Sequence, residues 1–441
     1  MERDSGSVTA PPDESAGGVR RIGLATLFLA YLQIGLTAFG FTMLQKVVQL
    51  VVGKKGWLTR RQADHGLALV QLYPGPIMVD FTAYVGYRLR GVSGALAAVV
   101  GFVLPSFALM IALSAVYFAT GNIAFVHALF VGLDALVVGI VLNLTLDFGE
   151  RALKGPVQAT LAAFAFAVML FGLNALIAIL VALVAGALLL RPTADPGIPA
   201  ATTPTAASAA ARPTATASAE PAAQPAAQPA AVPAAGWTRH IATWWTIAAT
   251  AAVVVAAAVA AALWGGTVGT MALSFFKIGS VAFGNGATIM PLIQADAVTH
   301  YHWLTMSQFA DGIALGQITP GPFLITAAFV GYKIGGVLVA ALATFAIFAP
   351  SFAMTLVFTE VFEHLHTLAW VRGALAGILA AFVGLLAVVT LQLGSVTGGR
   401  AGLLTLAAAA LVAVRFFKLD VLWVFGGGLG LWAILHALGL A

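Results

Sequence analysis

Long apolar stretches without a single charged residue or histidine dominate this sequence. They cover residues 22–45, 92–126, 157–190, 241–276, 334–359 and 373–399. A helix that spans a bilayer needs about 20 apolar residues. A soluble domain carries about a quarter charged residues, whereas this chain carries 8% and is 61% hydrophobic. The sequence therefore predicts an all-α polytopic membrane protein.

Some of these stretches are too long for one crossing. Residues 157–190 would form a helix of about 51 Å, against a hydrocarbon core of about 30 Å. We predict a break at residues 171–174, and a second break near residues 264–266 inside the stretch 241–276. The stretch 22–45 is interpreted as a retained first transmembrane helix, because no A-x-A cleavage site follows it. Residues 1–21 are predicted to be a disordered N-terminus.

Residues 191–240 differ from the rest, since they contain little besides Ala, Pro and Thr, as in "AAQPAAQPAAVPAA". Repeated proline prevents a stable helix, and this composition cannot form a core. We predict an extended, partly polyproline linker. A docking segment for a partner is the alternative.

The linker separates two copies of one unit, predicted at residues 22–190 and 266–438, with a connecting transmembrane helix at 241–265. Matching segments occur in the same order in both copies. They are "GLTAFG" with "GSVAFG", "GWLTRRQ" with "HWLTMSQ", "GLALVQLYPGP" with "GIALGQITPGP", "VGYRLRG" with "VGYKIGG", and "LPSF" with "APSF". Such duplicated halves are typical of secondary transporters.

The charges suggest that the copies are inverted in the membrane. The first loop of copy one holds Lys46, Lys54, Lys55, Arg60 and Arg61, whereas the matching stretch 285–308 has no Lys or Arg. By the positive-inside rule, these loops face opposite sides. We favour inverted repeats with broken helices or hairpins at Pro-Gly-Pro. If those hairpins re-enter without crossing, the copies are parallel instead.

Each copy contains one Pro-Gly-Pro behind a matched glutamine. Proline ends a helix, and we expect new helices to start at about Ile77 and Phe323. A helix N-terminus leaves N–H donors free and carries about half a positive charge, which favours an anion. The alternative is a kink that serves packing alone. The predicted substrate-binding residues here are Gln71, Pro74, Gly75, Pro76, Gln317, Pro320, Gly321 and Pro322.

A second kind of break follows Phe-Gly, where a backbone without Cβ atoms can approach a ligand. The residues predicted to bind substrate there are Gly40, Gly284, Asn285 and Gly286. Lys277, a few residues earlier, is predicted to be a cationic anchor for an anion, and snorkelling to the interface is the alternative. Its uncharged counterpart in copy one is Gln33.

Four other charged residues are predicted to serve coupling or the anion path. Asp80 and Asp134 are intramembrane acids of copy one. Asp80 either carries a proton, pairs with Lys277 in the empty state, or only stabilises the helix dipole. Arg88 and Lys333 are matched, and they either line the path or snorkel at helix ends.

Taken in order, "FG…WLT…Q…PGP…VGY…G…PSF", present twice across a linker, resembles the long-chain members of the chromate ion transporter family. The resemblance implies a bacterial inner-membrane carrier that expels chromate, powered by the membrane potential or the proton gradient. Members usually show Phe-Gly-Gly in copy one behind a basic residue, whereas this chain has Phe39-Gly40-Phe41 and Gln33. Copy two keeps the pattern better. This departure leaves open whether both copies bind the anion equally.

Several function classes can be weighed against this expectation. A passive anion channel needs a continuous polar pore, and these helices carry few polar residues. An enzyme would need a visible catalytic cluster or motif, which we do not find. Chromate and sulfate share shape and charge, so sulfate or another divalent oxyanion is the alternative substrate. We expect the lipid bilayer as surroundings, and we expect no nucleic acid, cofactor or metal; a homodimer stays an open option.

Overall fold

A computed structural model of the chain describes residues 22–37, 43–120, 123–190, 241–284, 286–361 and 369–438. The predictions of a disordered N-terminus and of an extended linker fall outside these residues. The described residues form fifteen α-helices and one two-residue parallel strand pair.

The helices fall into two equivalent series. The first copy contains α1 (Leu24–Thr37), α2 (Met43–Val48), α3 (Arg60–Val70), α4 (Ile77–Thr120), α5 (Ala124–Ala152), α6 (Pro156–Leu170) and α7 (Ala175–Leu189). After α8 (Ile241–Trp264), the second copy contains α9 (Gly266–Val281), α10 (Met290–Gln294), α11 (Met306–Ile318), α12 (Thr326–Val361), α13 (Ala369–Val396), α14 (Ala401–Arg415) and α15 (Val421–Ala437). A π-helical turn follows the second helix of each copy, at Gln49–Lys54 and Ala295–His300.

Five helical segments among the described residues are long and apolar enough to cross a membrane. They are Ile77–Thr120, Val126–Ala152, Trp244–Ala261, Phe323–Glu360 and Trp370–Val396. Together with the two equivalent helix series, these segments confirm the predicted fold class of an all-α polytopic membrane protein with two repeats.

Both predicted breaks in the longest apolar stretches are confirmed. The chain leaves α6 at Leu170 and starts α7 at Ala175, where the Asn174 side chain accepts a hydrogen bond from the Leu176 N–H. Likewise, α8 ends at Trp264, and Gly265 and Gly266 both adopt positive φ at the start of α9.

The first apolar stretch is described only in part. Its described residues form α1 over Leu24–Thr37, and α2 begins at Met43. Residues 38–42, which include Phe39-Gly40, lie outside the described residues. One transmembrane helix over residues 22–45 therefore stays a prediction.

The matched sequence segments have matched structural roles. In "WLT..Q", Thr59 with Gln62 and Thr305 with Gln308 form capping boxes at the starts of α3 and α11. Each box satisfies two N–H groups that the first turn of a helix leaves free. Because the same device recurs at the same place, α3 and α11 begin in the same way in both copies.

The two longest helices each fold back on themselves within the matched "VGY" segment. The backbone leaves helical geometry at Arg90-Gly91 in α4 and at Gly335-Gly336 in α12. A Cβ added at Gly86 would lie 2.4 Å from the Gly94 carbonyl oxygen. Residues eight apart in a continuous helix are about 12 Å apart, so α4 is a helical hairpin.

The last two helices of each copy pack on the other copy. Helices α6 and α7 lie along α13, and α14 and α15 lie along α5. Arg415 of α14 forms salt bridges with Asp147 and Glu150 of α5. At the centre, Thr145 of α5 and its counterpart Thr390 of α13 are hydrogen-bonded to each other at 2.9 Å. A contact between equivalent residues places a pseudo-two-fold axis between them.

Candidate functional site

Both Pro-Gly-Pro segments lie between helices. In copy one, α3 ends at Val70 and α4 begins at Ile77. In copy two, α11 ends at Ile318, and a 3₁₀ turn at Phe323–Ile325 leads into α12. The free N–H groups at both helix starts therefore come directly after a Pro-Gly-Pro.

The Pro-Gly-Pro of copy one lies beside the Phe-Gly of copy two. The strands β1 (Gly75–Pro76) and β2 (Phe283–Gly284) pair in parallel, with Gly75 opposite Phe283 and Pro76 opposite Gly284. The two predicted kinds of break thus meet across the boundary between the copies. Two further predicted site residues, Gly40 and Asn285, lie outside the described residues.

Gly286 connects this strand pair to the second Pro-Gly-Pro. Its φ of +89° lies in a region that side chains rarely adopt. A Cβ added there would lie 3.0 Å from the Cβ of Phe323, the residue after Pro322. The structure therefore brings Gly75, Pro76, Gly284 and Gly286 together with the helix start that follows Pro322. We call this set the grouped breaks.

Each Pro-Gly-Pro glycine packs against a serine of the opposite copy. A Cβ added at Gly75 would lie 2.8 Å from the Ser351 Cβ, and one at Gly321 would lie 2.6 Å from the Ser106 hydroxyl. Both serines are fully buried and belong to the matched "PSF" segments. These serines were not among the predicted site residues, although their matched positions were a signal that could have identified them.

The cavity beside the first Pro-Gly-Pro is very small. It has a volume of about 10 Å³ and is lined by Val70, Gln71, Tyr73, Ile77, Phe283, Leu375 and Leu379. One water molecule needs about 10–15 Å³ of such space. Gln71 therefore borders the grouped breaks, and a tetrahedral oxyanion fits there only after the helices move. Gln317, in the second copy, is half-buried.

Asp80 lies directly behind the first Pro-Gly-Pro. Its side chain is fully buried, and neither carboxylate oxygen receives a hydrogen bond. A Cβ added at Gly75 would lie 1.9 Å from Asp80 Oδ2. The hydroxyls of Ser351 and Thr355 donate to backbone carbonyls, and both lie close enough to interact with the Asp80 carboxyl group. Asp80 thus brings a buried carboxyl group to the predicted anion site.

Lys277 and Gln33 do not join the grouped breaks. Both lie on exposed faces, Lys277 on α9 and Gln33 on α1. Among the described residues, no salt bridge links Lys277 to Asp80. The ammonium group of Lys277 therefore lies at the surface of the helix bundle, as the snorkelling alternative expects.

Arg88 and Lys333 lie on aromatic rings near the hairpin turns. The Arg88 guanidinium carbon is 5.9 Å from the Tyr84 ring centroid, and the Lys333 ammonium is 5.0 Å from that of Phe118. Lys333 also lines an open cleft of about 530 Å³ together with Trp303 and the first turn of α9. Both cations are away from the paired strands.

Asp134 meets an acid that was not among the predicted site residues. Asp134 of α5 and Asp311 of α11 are each 2% exposed. Asp134 accepts a hydrogen bond from Ser307, one turn before Asp311 on α11, so the two carboxyl groups are neighbours. Asp311 stands just before "GIALGQ", where copy one has His65. An acid in an apolar helix near a Pro-Gly-Pro was a signal for it, but only the packing of α5 on α11 joins it to Asp134.

Comparison with known proteins agrees with this architecture. The family model for chromate transporters matches residues 25–187 and 269–433, which are the two helix series. The chain belongs to the chromate transporter family. No solved structure gives a significant match.

Several relatives match this chain over most of their length. A chromate transport protein of Pseudomonas aeruginosa is 30% identical over 94% of this chain and 91% of its own. A chromate transport protein of Cupriavidus metallidurans is 27% identical over 97% and 98% of the two chains. An uncharacterized transporter of Methanocaldococcus jannaschii is 28% identical over 83% of each.

Proposed function

We propose that this protein is a secondary transporter that exports chromate across the inner membrane, and not an enzyme. The observation that carries the proposal is the meeting of Pro-Gly-Pro from one copy with Phe-Gly from the other. Broken backbone in a membrane protein occurs where it is buried in protein or lines a cavity. In transporters such helix ends bind the substrate.

The proposed site binds the oxyanion through backbone groups. Free N–H donors at the starts of α4 and α12 point along helix dipoles that favour negative charge. Gly75, Gly284 and Gly286 allow close approach because they have no Cβ. Asp80 would repel an anion there while ionised, so we propose that its charge is exchanged for that of the substrate during the cycle.

A carrier fits this geometry better than a channel. A channel needs a continuous wet pore, whereas the cavity at the paired strands has room for about one water molecule. Binding a tetrahedral oxyanion there requires the helices to move apart, which is how alternating access works.

We further propose that the two copies are inverted, as the charge distribution predicted. Gly75 lies by Ser351 and Tyr87 hydrogen-bonds to Glu360, so the first arm of α4 runs parallel to the second arm of α12. The arms of each hairpin run in opposite directions. Equivalent first arms are therefore antiparallel, which supports a two-fold axis in the membrane plane.

The membrane potential can supply the energy. Moving one charge through 100 mV is worth about 2.3 kcal/mol, so expelling a dianion from a negative-inside cell gains about 4.6 kcal/mol. Since 1.4 kcal/mol corresponds to about tenfold, this sustains a gradient of roughly a thousandfold. An inward proton gradient is the other proposed source.

Flux measurements in proteoliposomes test the proposal. We expect chromate flux that rises when a potential is imposed in the direction that drives the anion, and that falls when the potential is collapsed with valinomycin and potassium. Empty liposomes are the control. Secondary transport would be contradicted by chromate flux that is undiminished when the membrane potential, the pH gradient and the chromate gradient are all zero.

Competition distinguishes the substrates. Excess sulfate on the same side should reduce chromate flux, because the same N–H donors fit both ions. Sulfate flux without any chromate flux would identify sulfate, the alternative oxyanion, as the substrate.

A further inference from the structure

A buried group of polar side chains joins the two copies away from the paired strands. The Tyr117 hydroxyl of α4 donates to Asp311 Oδ2 at 2.6 Å, and the Ser307 hydroxyl of α11 donates to Asp134 Oδ2 at 3.1 Å. Asp134 belongs to copy one and Asp311 to copy two. We call Asp134 and Asp311 the carboxyl pair, and Tyr117 and Ser307 are its two hydroxyl donors.

Two carboxyl oxygens of this group lack a hydrogen-bond donor, which a bound proton would supply. Asp134 Oδ1 and Asp311 Oδ1 are both buried and receive no hydrogen bond. An ionised carboxylate only accepts hydrogen bonds, so two neighbouring carboxyl groups can bond to each other only if one carries a proton. A single shared proton would therefore satisfy the group.

We propose that Asp134 and Asp311 bind one proton between them, and that this proton is the coupling ion of chromate export. The inference rests on the proposed function for its second half. An inward proton gradient assists export only if the proton moves opposite to chromate. The proton is taken up from water on one side and released to water on the other.

The charges around the pair favour one bound proton over two free carboxylates. No salt bridge joins either acid to a cation among the described residues. The only cation of α12 is Lys333, over the Phe118 ring beside Tyr117. The only ionisable residues of α13 and α15 are Arg372 and His436, near the outer ends of those helices. Two adjacent buried negative charges would thus lack compensation.

The pair is not required by the repeated packing. At the equivalent position of copy two, Asp134 is replaced by Leu379, and Asp311 corresponds to His65 in copy one. Leu379 is buried and lines the small cavity beside the first Pro-Gly-Pro. Since the symmetric place holds Leu379 and His65 and no acid, the fold itself does not require a pair of carboxyl groups there.

The position of α11 explains how the proton can control transport. Asp311 lies in α11, and the same helix ends at Ile318, directly before the second Pro-Gly-Pro. Loss of the proton leaves two like charges side by side, which pushes α11 away from α5. The second Pro-Gly-Pro, which connects α11 to the start of α12 at the proposed anion site, then moves with α11.

Transport with a trapped pH indicator tests the coupling. Proteoliposomes are loaded with chromate, and the potential is clamped with valinomycin and potassium. We expect chromate efflux from the parent protein to acidify the lumen, and Asp134→Asn and Asp311→Asn each to reduce this proton movement at least tenfold per chromate moved. Asp64→Asn is the matched control, because Asp64 is an exposed acid paired with Arg60, and it should keep the parent ratio.

Three results would overturn the coupling role. The first is chromate flux by the parent protein without proton movement, and the second is parent-level proton movement in both variants. The third is a lumenal acidification that disappears when sodium is replaced by choline, which would identify sodium as the coupling ion. If the parent moves no chromate at all, the proposed function fails, and the shared proton is tested separately.

Infrared spectroscopy provides that separate test on the purified parent protein. We expect a protonated carboxyl C=O band at neutral pH, with a component lost in both Asp134→Asn and Asp311→Asn and kept in Asp64→Asn. Absence of the band in the parent, or no loss in folded variants, would contradict a shared proton.

Discussion

At the residue scale, the glycines of the grouped breaks occupy positions that do not accommodate a side chain. Gly75 lies so close to Asp80 and Ser351 that a methyl group has no room. Gly286 combines a positive φ with contact to Phe323. The proposed anion site therefore depends on the absence of side chains, and its polar groups belong to the backbone.

Gly75→Ala should reduce chromate transport by about tenfold or more. Its Cβ would lie 1.9 Å from Asp80 Oδ2 and 2.8 Å from the Ser351 Cβ, and such overpacking costs about 1–3 kcal/mol. The measurement is chromate flux per inserted protein. Gly427→Ala in α15 is the control, since no atom lies within 4 Å of its added Cβ; equal flux in both variants would argue against the site.

Lys277→Gln should weaken the apparent affinity for chromate while expression stays normal. The exposed ammonium on α9 attracts an anion toward the bundle, so its loss raises KM more than it lowers kcat. Gln33→Lys, at the equivalent exposed position of copy one, should be tolerated or lower KM. If the KM of Lys277→Gln equals that of the parent, Lys277 does not attract the anion, and the snorkelling alternative is favoured.

At the element scale, two helical hairpins place both Pro-Gly-Pro segments. The turns at Arg90-Gly91 and Gly335-Gly336 send the second arm of α4 and of α12 back along the opposite copy. Those second arms carry Ser106 and Ser351, which contact the Pro-Gly-Pro glycines. The hairpin turns thus decide which break meets which serine.

Gly91→Ala should lower the free energy of unfolding by about 1–3 kcal/mol. Gly91 has φ +66° and ψ −154°, a region that is nearly restricted to glycine, and no atom crowds the added Cβ. Backbone strain is therefore the sole source of the loss. Thermal unfolding in detergent measures it, and Gly336→Ala should behave alike.

Gly430→Ala serves as the control for this prediction. It lies inside α15 with open space around it, and alanine favours a helix over glycine by about 1 kcal/mol. A Gly91→Ala protein as stable as Gly430→Ala would contradict the strained hairpin turn.

At the scale of the whole molecule, the two copies are interlocked. Helices α6 and α7 pack on α13, and α14 and α15 pack on α5, so each copy completes the other. The copies are therefore held together by their own helices. We therefore predict that the chain between α7 and α8 is not needed to hold them in contact.

Deletion of residues 200–230 should leave membrane insertion and transport largely intact. The deleted part consists mainly of Ala, Pro and Thr, which form no core, and 19 residues remain between residues 190 and 241 after deletion of these 31. Expression and chromate flux of the shortened protein measure the effect. Normal insertion with lost transport would favour the docking-segment alternative.

The sequence by itself determined the helical membrane class, the two repeats and several helix ends. Charge-free apolar stretches, proline and glycine act locally, so the breaks at residues 171–174 and 264–266 could be read without knowledge of the partners. The capping boxes at Thr59 and Thr305 follow from local sequence in the same way.

Only the tertiary structure decided which breaks and which charges meet. The pairing of Gly75 with Phe283, the hydrogen bond of Ser307 to Asp134, and the exposed position of Lys277 all depend on which helix faces turn toward each other. These faces are poorly encoded here, because helices that are apolar on all sides give no amphipathic pattern to orient them. Close approach at small residues sets the orientation instead, as where Gly35 meets the Phe102 carbonyl and Gly279 meets the Ile347 carbonyl.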